Sequence, residues 1–180
     1  NILPMATSQD HKTRDAGDKG PNTGGMGAYS PAPVLDEKMS NRVMSEILIP
    51  TVRGMASDGI PYTGFLYAGL MIDSKGSINV IEFNCRFGDP EAQPVMLRLE
   101  SDLIEHCMAA IEGKLDQQTA KWDPRPAVGV VMAANGYPAE YATGDKITGL
   151  DEISNPEVKI FHAGTEIVDA GETVTSGGRV

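Results

Sequence analysis

The sequence predicts an α+β protein in which an antiparallel sheet with flanking helices is followed by a small β-rich domain. Three observations support this fold class. Apolar residues recur at helical spacing in two segments, a short polar link joins two strand-like segments, and β-like pieces separated by glycine turns fill the C-terminal third. The polar tract at 115–126, which contains two prolines, predicts a domain boundary. Domains are therefore expected at residues 1–118 and 119–180.

Two segments have the periodicity of amphipathic helices. From Asp36 to Met55 apolar residues recur every three to four positions, and Pro50 is expected to bend or end this helix. Ser101 is the predicted N-cap of a second helix, and Gly113 follows it at the position of a C-cap glycine. His106 lies beside the apolar stripe of the second helix, where a surface or packing role is favoured over catalysis.

The strand-like segments are short and are separated by turn residues. Thr63–Asp73 and Ser77–Asn84 are rich in aromatic and aliphatic residues, and the polar link between them predicts a β-hairpin. Residues 1–33 are rich in glycine, proline and small polar residues, which predicts an ordered but irregular loop. The C-terminal part is expected to contain a buried strand at 127–134 and short strands at 158–161, 166–168 and 173–175.

The net charge of the chain limits the classes of partner that it is expected to bind. A formal net charge of −10 without any basic run argues against binding to nucleic acid, since that affinity rests on clustered Lys and Arg.

No apolar stretch is long enough to cross a bilayer. Cys85 and Cys107 form no CxxC pair, so neither a zinc site nor a disulfide framework is indicated, and a reducing cytoplasm is the expected location. The start at Asn1 and the β-like end suggest a piece of a longer polypeptide.

The segment from Val80 to Glu91 carries the most informative chemistry. If the backbone is extended through residue 86, one face of the strand is apolar and the other presents the polar side chains of Glu82, Asn84 and Arg86. Carboxylate and amide oxygens are ligands for Mg²⁺, and a guanidinium suits phosphate. On spacing alone, the more common outcome is the solvent face of a half-buried strand. The following turn, Gly88–Glu91, brings further carboxylates and favours a cation site.

A glycine-rich loop spans residues 20–31. Its glycines admit the backbone angles by which N–H groups surround an anion, but no Gly-Lys-Ser or Gly-Lys-Thr follows, so it is not a Walker motif. Composition alone favours an ordinary turn. The preceding Gln9–Lys12 places an acceptor, a titratable ring and a cation in neighbouring positions.

Together these segments resemble the glycinamide ribonucleotide synthetase family of the ATP-grasp superfamily, from Leu3 to Val180. The Glu-Phe-Asn strand is shared widely among ATP-grasp enzymes, whereas the long glycine loop is more specific to the family. Ala92 and Thr13 depart from its pattern, where Thr and Arg are frequent, and neither is a proposed metal ligand. The motifs that carry the resemblance are Thr7–Lys12, Gly20–Pro31, Thr63–Met71 and Ile81–Glu91.

The resemblance implies the C-terminal half of an ATP-grasp catalytic domain followed by an incomplete β-rich C-terminal domain. It implies ATP-dependent ligation of glycine to 5-phosphoribosylamine through glycyl phosphate, in de novo purine biosynthesis, with Mg²⁺ or Mn²⁺ as cofactor and ATP as co-substrate. The partners would be these small molecules, with no nucleic acid and no membrane, and the full-length protein is expected to be a monomer. Because the first half of the fold precedes residue 1 in the family, the segment alone is expected to be inactive.

The same resemblance assigns roles to individual residues. Glu82 and Asn84 match the metal ligands, and Arg86 and Asp10 are the candidate catalytic residues, Arg86 stabilising the acyl phosphate. The candidate residues for the glycine and phosphoribosylamine site are His11, Lys12, Asn22, Thr23, Gly24, Gly25, Asp89, Pro90 and Glu91.

Two alternatives remain open at this point. Another ATP-grasp ligase or carboxylase would share the strand of Glu82 and Asn84 but has no reason to carry the glycine loop. A non-catalytic binding module could keep the fold alone, although retention of Arg86 beside both metal-ligand candidates argues against such decay.

Overall fold

The computed structural model describes residues 1–169 and 171–180, which form two compact units. Unit 1 consists of Asn1–Asp10 and Ala28–Gly129, and unit 2 of His11–Gly27 and Val130–Val180. Each unit is therefore built from two separate stretches of chain. The boundary expected between residues 118 and 119 stays a prediction, because a compact unit need not coincide with a family domain.

The described residues contain short strands and helices in an α+β arrangement. The strands are β1 (Gln9–Asp10), β2 (Thr13–Asp15), β3 (Lys19–Asn22), β4 (Gly27–Ser30), β5 (Tyr67–Ile72), β6 (Ile78–Asn84), β7 (Ala127–Val130), β8 (Thr165–Ile167) and β9 (Thr173–Thr175). The helices are α1 (Glu37–Val43), α2 (Ile49–Ser57), α3 (Ala92–Arg98) and α4 (Leu103–Ile111), with a π-helical segment at Met44–Leu48 and 3₁₀ turns at Leu115–Gln117 and Leu150–Glu152. No helix in this part of the chain has the length and apolar character needed to span a membrane.

The glycine-rich N-terminal region is more regular than its composition predicts. Strand β4 lies between β1 and β7 in a three-stranded sheet, and β2 pairs with β3 as an antiparallel hairpin. The expectation of an irregular loop over residues 1–33 is therefore wrong. The pairing of β1 with β4 joins distant positions, Gln9 with Tyr29 and Asp10 with Ala28, which local composition does not reveal.

The first predicted helix forms, but Pro50 does not end it. Asp36 caps the helix by accepting a hydrogen bond from the Met39 N–H at 2.7 Å. Helical turns continue through the π-helical segment and on to Ser57. Pro50 lies in the first turn of α2, where the Ile49 N–H already bonds back to Met44 in a wider turn, so the missing proline N–H is accommodated.

The second predicted helix, α4, also forms with a different cap. Asp102, and not Ser101, is the N-cap, because its carboxylate accepts from the Ile104 N–H at 2.7 Å. Ser101 Oγ lies 2.8 Å from His106 Nε2, and Gln118 Oε1 lies 2.9 Å from His106 Nδ1. His106 is buried, so the expected packing role is confirmed. Gly113 follows the helix with a φ of +72°, as a C-cap glycine should.

The hairpin is confirmed and the C-terminal strands only in part. Strands β5 and β6 pair antiparallel around the predicted polar link, and β8 pairs with β9 close to the predicted positions. The expected strand at 158–161 is absent, since none of those four residues belongs to a strand. Strand β7 covers only part of 127–134, and its Val128 and Val130 are exposed, so the prediction of a buried strand there is wrong.

Each unit has a small buried core of its own. In unit 1 the sheet residue Ala28 and the helix residues Val43, Ile47, Val95 and Ala109 are buried. In unit 2 the buried apolar residues include Ala134 and Val174. The hairpin of β5 and β6 keeps much of its surface open, with Ile81 exposed by 61% and Phe83 by 40%.

Candidate active site

The hairpin of unit 1 presents the two proposed metal ligands on one face. In the register of the sheet, Glu82 lies opposite Gly69 and Asn84 lies opposite Tyr67. Directly opposed residues of antiparallel strands share a face, so all four belong to the same side. Glu82 is exposed and Asn84 is half-buried. The sequence-predicted spacing of the carboxylate and the amide is therefore realised on an extended strand.

A β-bulge brings Tyr67 onto this face. The register shifts between Gly69 and Leu70, because Leu70 pairs with Val80 while Gly69 pairs with Glu82, which leaves Ile81 as an extra residue. A shift by one residue exchanges the two faces of a strand. Without this register shift, the Tyr67 side chain would lie on the apolar face of the hairpin. With it, a Cβ placed on Gly69 would lie 3.1 Å from Glu82 Cγ and 3.4 Å from the Tyr67 ring, so both side chains lie close to this glycine.

The strand does not extend as far as the sequence-based interpretation requires. β6 ends at Asn84, opposite the first residue of β5, and Cys85 and Arg86 follow in a bend. The expectation of extended backbone through Arg86 is wrong, because no partner strand remains beyond Tyr67. The exposed Arg86 donates through Nη1 to the Phe87 carbonyl at 2.7 Å. Strand alternation therefore does not determine the direction of its guanidinium.

The turn after the strand places a buried carboxylate beside Tyr67. Tyr67 Oη donates to Glu91 Oε1 at 2.7 Å, and Glu91 is only 5% exposed. Burial, this hydrogen bond and the carboxylates of Glu91, Asp10 and Glu82 together raise the pKa of Tyr67 far above its usual value. The phenol is therefore protonated and acts as a donor near neutral pH. Sequence reasoning missed Tyr67, because its position on the polar face depends on the bulge.

The remaining turn residues differ in burial. Asp89 is exposed, Pro90 is buried, and the peptide bond between them is cis. The Ala92 N–H donates to the Gly88 carbonyl at 3.0 Å, which joins the turn to the start of α3. Asp10, the last residue of β1, is half-buried and lies close enough to Tyr67 for its charge to act on the phenol. In unit 1 the carboxylates of Asp10, Glu82 and Glu91 therefore all lie near the Tyr67 phenol.

The other predicted substrate-binding residues belong to unit 2. His11 and Lys12 are exposed, and their backbone pairs with the glycine loop: the Met26 N–H donates to the His11 carbonyl at 2.8 Å, and the Thr23 N–H to the Lys12 carbonyl at 2.7 Å. Thr23 Oγ1 also donates to the Lys12 carbonyl, at 2.8 Å. Asn22 ends β3 opposite Thr13. The loop is therefore anchored to the strand that precedes it.

The N–H groups of the loop are used within unit 2. The Gly24 N–H donates to Tyr137 Oη at 3.1 Å, and the Gly25 N–H donates to Thr23 Oγ1 at 3.0 Å. With the Thr23 and Met26 N–H groups also bonded, the four consecutive donors of residues 23–26 are occupied, so the loop does not offer them to an anion. These four N–H groups lie in a hydrogen-bonded turn, the outcome that composition alone favours. The positive charge at this loop comes from Arg179, whose Nη1 donates to the Gly24 carbonyl at 2.8 Å.

The donor set of the hairpin face fits a hard divalent cation that also binds substrate. Within the part of the chain that the structure describes, no group of three or more His, Cys, Asp or Glu side chains could hold a metal ion. Glu82 and Asn84 offer oxygen ligands from one strand, which leaves other coordination positions for phosphate oxygens and water. Two protein ligands suit a metal ion that also binds nucleotide phosphates better than a structural metal ion whose ligands all come from the protein.

Comparison with known proteins assigns the class of the chain and then its family. A solved structure of phosphoribosylamine–glycine ligase from Thermotoga maritima matches all of this chain and 43% of its own length, with a TM-score of 0.82 and 34% sequence identity. The fold is accordingly the α+β portion of an ATP-grasp protein with a small C-terminal domain. Family models match residues 1–92, as the ATP-grasp (A) domain of phosphoribosylglycinamide synthetase, and residues 127–180, as its C domain. The chain belongs to the phosphoribosylglycinamide synthetase family.

Curated relatives agree with this assignment over the whole chain. Phosphoribosylamine–glycine ligases from Vibrio vulnificus and from Escherichia coli O157:H7 are 64% and 63% identical to it over 180 residues. These matches cover 100% of this chain and 42% of each relative. The chain thus spans less than half the length of the curated relatives it matches.

Proposed function

We propose that this chain is the metal-binding and substrate-binding part of a ligase that joins glycine to 5-phosphoribosylamine at the expense of ATP. The observation that carries the proposal is the face shared by Tyr67, Glu82 and Asn84, with the Glu91 carboxylate held beside it. The family assignment supplies the reaction. As in the reaction of its relatives, the products would be glycinamide ribonucleotide, ADP and phosphate, in the cytoplasm, by a full-length monomer.

The proposed reaction has two bond exchanges. A glycine carboxylate oxygen attacks the γ-phosphorus of ATP and ADP leaves, which gives glycyl phosphate. The amine nitrogen of phosphoribosylamine then attacks the glycyl carbonyl carbon, the bond from that carbon to the phosphate oxygen breaks, and the nitrogen loses a proton. Both steps develop negative charge on phosphate oxygens, which bound cations stabilise.

The residues of unit 1 have distinct roles in this scheme. Glu82 and Asn84 would hold Mg²⁺ or Mn²⁺, which supplies charge neutralisation and orientation for the phosphates. Arg86 lies in the exposed bend that follows them, and its guanidinium suits a phosphoryl group that leaves. Asp10, Asp89, Pro90 and Glu91 would line the site for the two small substrates.

In unit 2 the proposed role is recognition of phosphoribosylamine. His11 and Lys12 are exposed cationic or titratable side chains adjoining the anchored loop of Asn22–Gly25. The Thr23 hydroxyl and the Arg179 guanidinium fix the loop conformation. A fixed loop with basic neighbours suits a sugar phosphate, because little ordering is needed on binding.

The proposal is tested by the substrate dependence of ADP release in a full-length ligase that contains this segment. ADP should form only when ATP, glycine, phosphoribosylamine and a divalent cation are all present, and chelation should abolish it. Each substrate is omitted in turn, and product is identified by mass. Equal ADP release with another carboxylic acid in place of glycine would favour a different ATP-grasp ligase, and no ADP release under any combination would favour a binding module.

A further inference from the structure

The backbone of Gly24 is held from both sides by side chains of the C-terminal stretch of unit 2. The Gly24 N–H donates to Tyr137 Oη at 3.1 Å, and the Gly24 carbonyl accepts from Arg179 Nη1 at 2.8 Å. The same Nη1 also donates to the Gly25 carbonyl at 3.3 Å. Two side chains that are distant in sequence from the glycine loop therefore fix one of its residues.

The absence of a side chain at Gly24 lets the guanidinium lie against the loop. A Cβ added to Gly24 would lie 3.0 Å from Arg179 Cζ and 3.1 Å from its Nη2. Non-bonded carbon atoms are normally about 3.5–4.0 Å apart, so a larger residue would push the guanidinium away. The close approach of Arg179 therefore accounts for a glycine at this position.

Hydrogen bonds of the backbone connect the two residues that hold Gly24. The Ala134 N–H donates to the Gly178 carbonyl at 2.9 Å, and Ala133 forms an antiparallel bridge with Arg179. The Tyr137 N–H donates to the Ala134 carbonyl at 3.1 Å. A Cβ added to Gly178 would lie 2.9 Å from Tyr137 Cε2, so the ring packs directly against backbone. The phenol and the guanidinium therefore reach the loop from one hydrogen-bonded segment.

Thr23 connects the held residue to Lys12. The Thr23 N–H and the Thr23 hydroxyl both donate to the Lys12 carbonyl, at 2.7 and 2.8 Å. Thr23 precedes Gly24 directly, so a displacement of Gly24 would move both donors. Lys12 is exposed, and the direction of its side chain follows from the backbone that these donors hold.

We propose that Tyr137 and Arg179 are positioning residues that act through Gly24 and Thr23 to orient Lys12 toward the phosphate of phosphoribosylamine. This inference rests on the proposed function and deepens it, because it assigns discrimination of the phosphorylated sugar to side chains of unit 2. The ammonium of lysine is a compact charge on a flexible stem, so a fixed backbone reduces the ordering that binding requires. A phosphate gains more from this charge than a neutral hydroxyl does, since charge-assisted hydrogen bonds are stronger.

The test compares glycinamide ribonucleotide, the proposed product, with glycinamide riboside, which lacks only the phosphate. Calorimetry measures the Kd of each for a full-length ligase that contains this segment. Tyr137→Phe should weaken binding of the ribonucleotide about fivefold and Arg179→Lys about tenfold, whereas the Kd of the riboside and the KM values for ATP and glycine should stay within about twofold. Both substitutions keep most of the side chain, so the thermal unfolding temperature should fall by less than about 3 °C.

Combined substitutions test whether the effect passes through the loop to Lys12. Because Tyr137 and Arg179 hold the same residue, the variant with both substitutions should weaken binding of the ribonucleotide about tenfold, and not by the roughly fiftyfold that independent effects would give. Lys12→Met removes the charge that is positioned. In that background, Tyr137→Phe should change the Kd of the ribonucleotide by no more than about twofold.

Matched controls remove the same groups elsewhere. Tyr141→Phe changes an exposed phenol whose ring centroid lies 6.1 Å from that of Tyr137, and Arg53→Lys changes an exposed residue of α2. Both should leave the two Kd values unchanged.

Three results would overturn the inference. Tyr137→Phe and Arg179→Lys could leave the Kd of the ribonucleotide unchanged, they could weaken the riboside as much as the ribonucleotide, or Tyr137→Phe could keep its full effect when Lys12 is replaced by methionine. Failure of the unsubstituted ligase to release ADP with glycine and phosphoribosylamine is a separate result, and it overturns the proposed function itself.

Discussion

Arg98 Nη1 donates to Ser30 Oγ at 2.9 Å, joining the end of α3 to the end of β4 in the interior of unit 1. Both residues are buried, with Arg98 8% and Ser30 0% exposed. The same guanidinium donates to the Asp123 carbonyl at 3.1 and 3.0 Å and to the Arg125 carbonyl at 2.9 Å. Ser30 Oγ in turn donates to the Thr7 carbonyl at 2.7 Å. One side chain therefore fastens three distant stretches of unit 1.

Substitution of Arg98 should destabilise the chain strongly. Arg98→Met keeps much of the apolar stem but leaves the two carbonyls without donors, so we expect the free energy of unfolding to fall by roughly 2–5 kcal/mol. Urea unfolding followed by circular dichroism measures the difference. Arg53→Met, at an exposed position of α2, is the matched control and should change stability by less than about 0.5 kcal/mol. Equal effects at the two positions would contradict the bridging role.

Removal of either proposed metal ligand should abolish turnover without unfolding the protein. We expect Glu82→Ala and Asn84→Ala in a full-length ligase to lower kcat by about 100-fold or more, because under the proposed assignment each deletes an oxygen ligand of the metal that neutralises phosphate charge. The exposed Glu82 contributes little to packing, so its thermal unfolding temperature should hardly change. Normal activity of both variants would refute the metal assignment.

The pKa of Asp123 should depend on Arg125. Hydrogen bonds from the Arg125 side chain and then from its backbone N–H lower the pKa of Asp123 to about 2. A carboxyl whose pKa is lowered by folding stabilises the folded state above its ordinary value of about 3.9, and this contribution is lost as the pH falls through about 2. Arg125→Gln should raise this pKa toward its ordinary value, measured by NMR titration of the carboxyl group.

The comparison residue for that titration is Asp73. Its pKa is also lowered, chiefly by the Ser77 backbone N–H, so Arg125→Gln should leave it where it is. Because the Arg125 backbone bond to Asp123 survives the substitution, we expect a partial rise at Asp123. An unchanged pKa of Asp123 would show that the guanidinium does not hold it.

Two glycine-to-alanine substitutions should have opposite effects on stability. A Cβ on Gly164 would lie 2.6 Å from the Arg179 carbonyl oxygen and 2.6 Å from Gly177 Cα, both backbone atoms, so Gly164→Ala should lower the free energy of unfolding by roughly 1–3 kcal/mol. Gly54 lies in α2 with nothing within 4 Å of such a Cβ. Gly54→Ala should therefore raise stability by about 0.5–1 kcal/mol through helix propensity. Unfolding curves that move in the same direction would contradict the steric argument.

Local signals in the sequence were sufficient for the elements that local interactions stabilise. The β5–β6 hairpin follows from two strand-like segments and a four-residue polar link, and α4 follows from its spacing and Gly113. The pairing of β1 with β4 was missed because its partners are distant and glycine-rich. The exposure of Val128 and Val130 was missed because a run of apolar residues does not show whether another element packs against it.

The same distinction applies to the candidate site. The shared face of Glu82 and Asn84 was predictable because alternation along one strand needs no knowledge of its partner. The place of Tyr67 on the polar face was not predictable. A hairpin closed by the polar link without a bulge would place Tyr67 opposite Phe83, on the apolar face, and the extra residue Ile81 shifts it opposite Asn84. The orientation of Arg86 was predicted from extended backbone that ends two residues earlier. Side-chain pairs such as Tyr67 with Glu91 have no signal in a single sequence.

The path of the chain through its two units decides which fragments of it can be complete. Residues 11–27 belong with residues 130–180, although a long stretch of unit 1 separates them. The family model for the C domain matches 127–180, which is one of the two pieces that unit 2 requires. A chain break near residue 129 would therefore leave residues 11–27 with unit 1 and separate them from residues 130–180, the rest of unit 2.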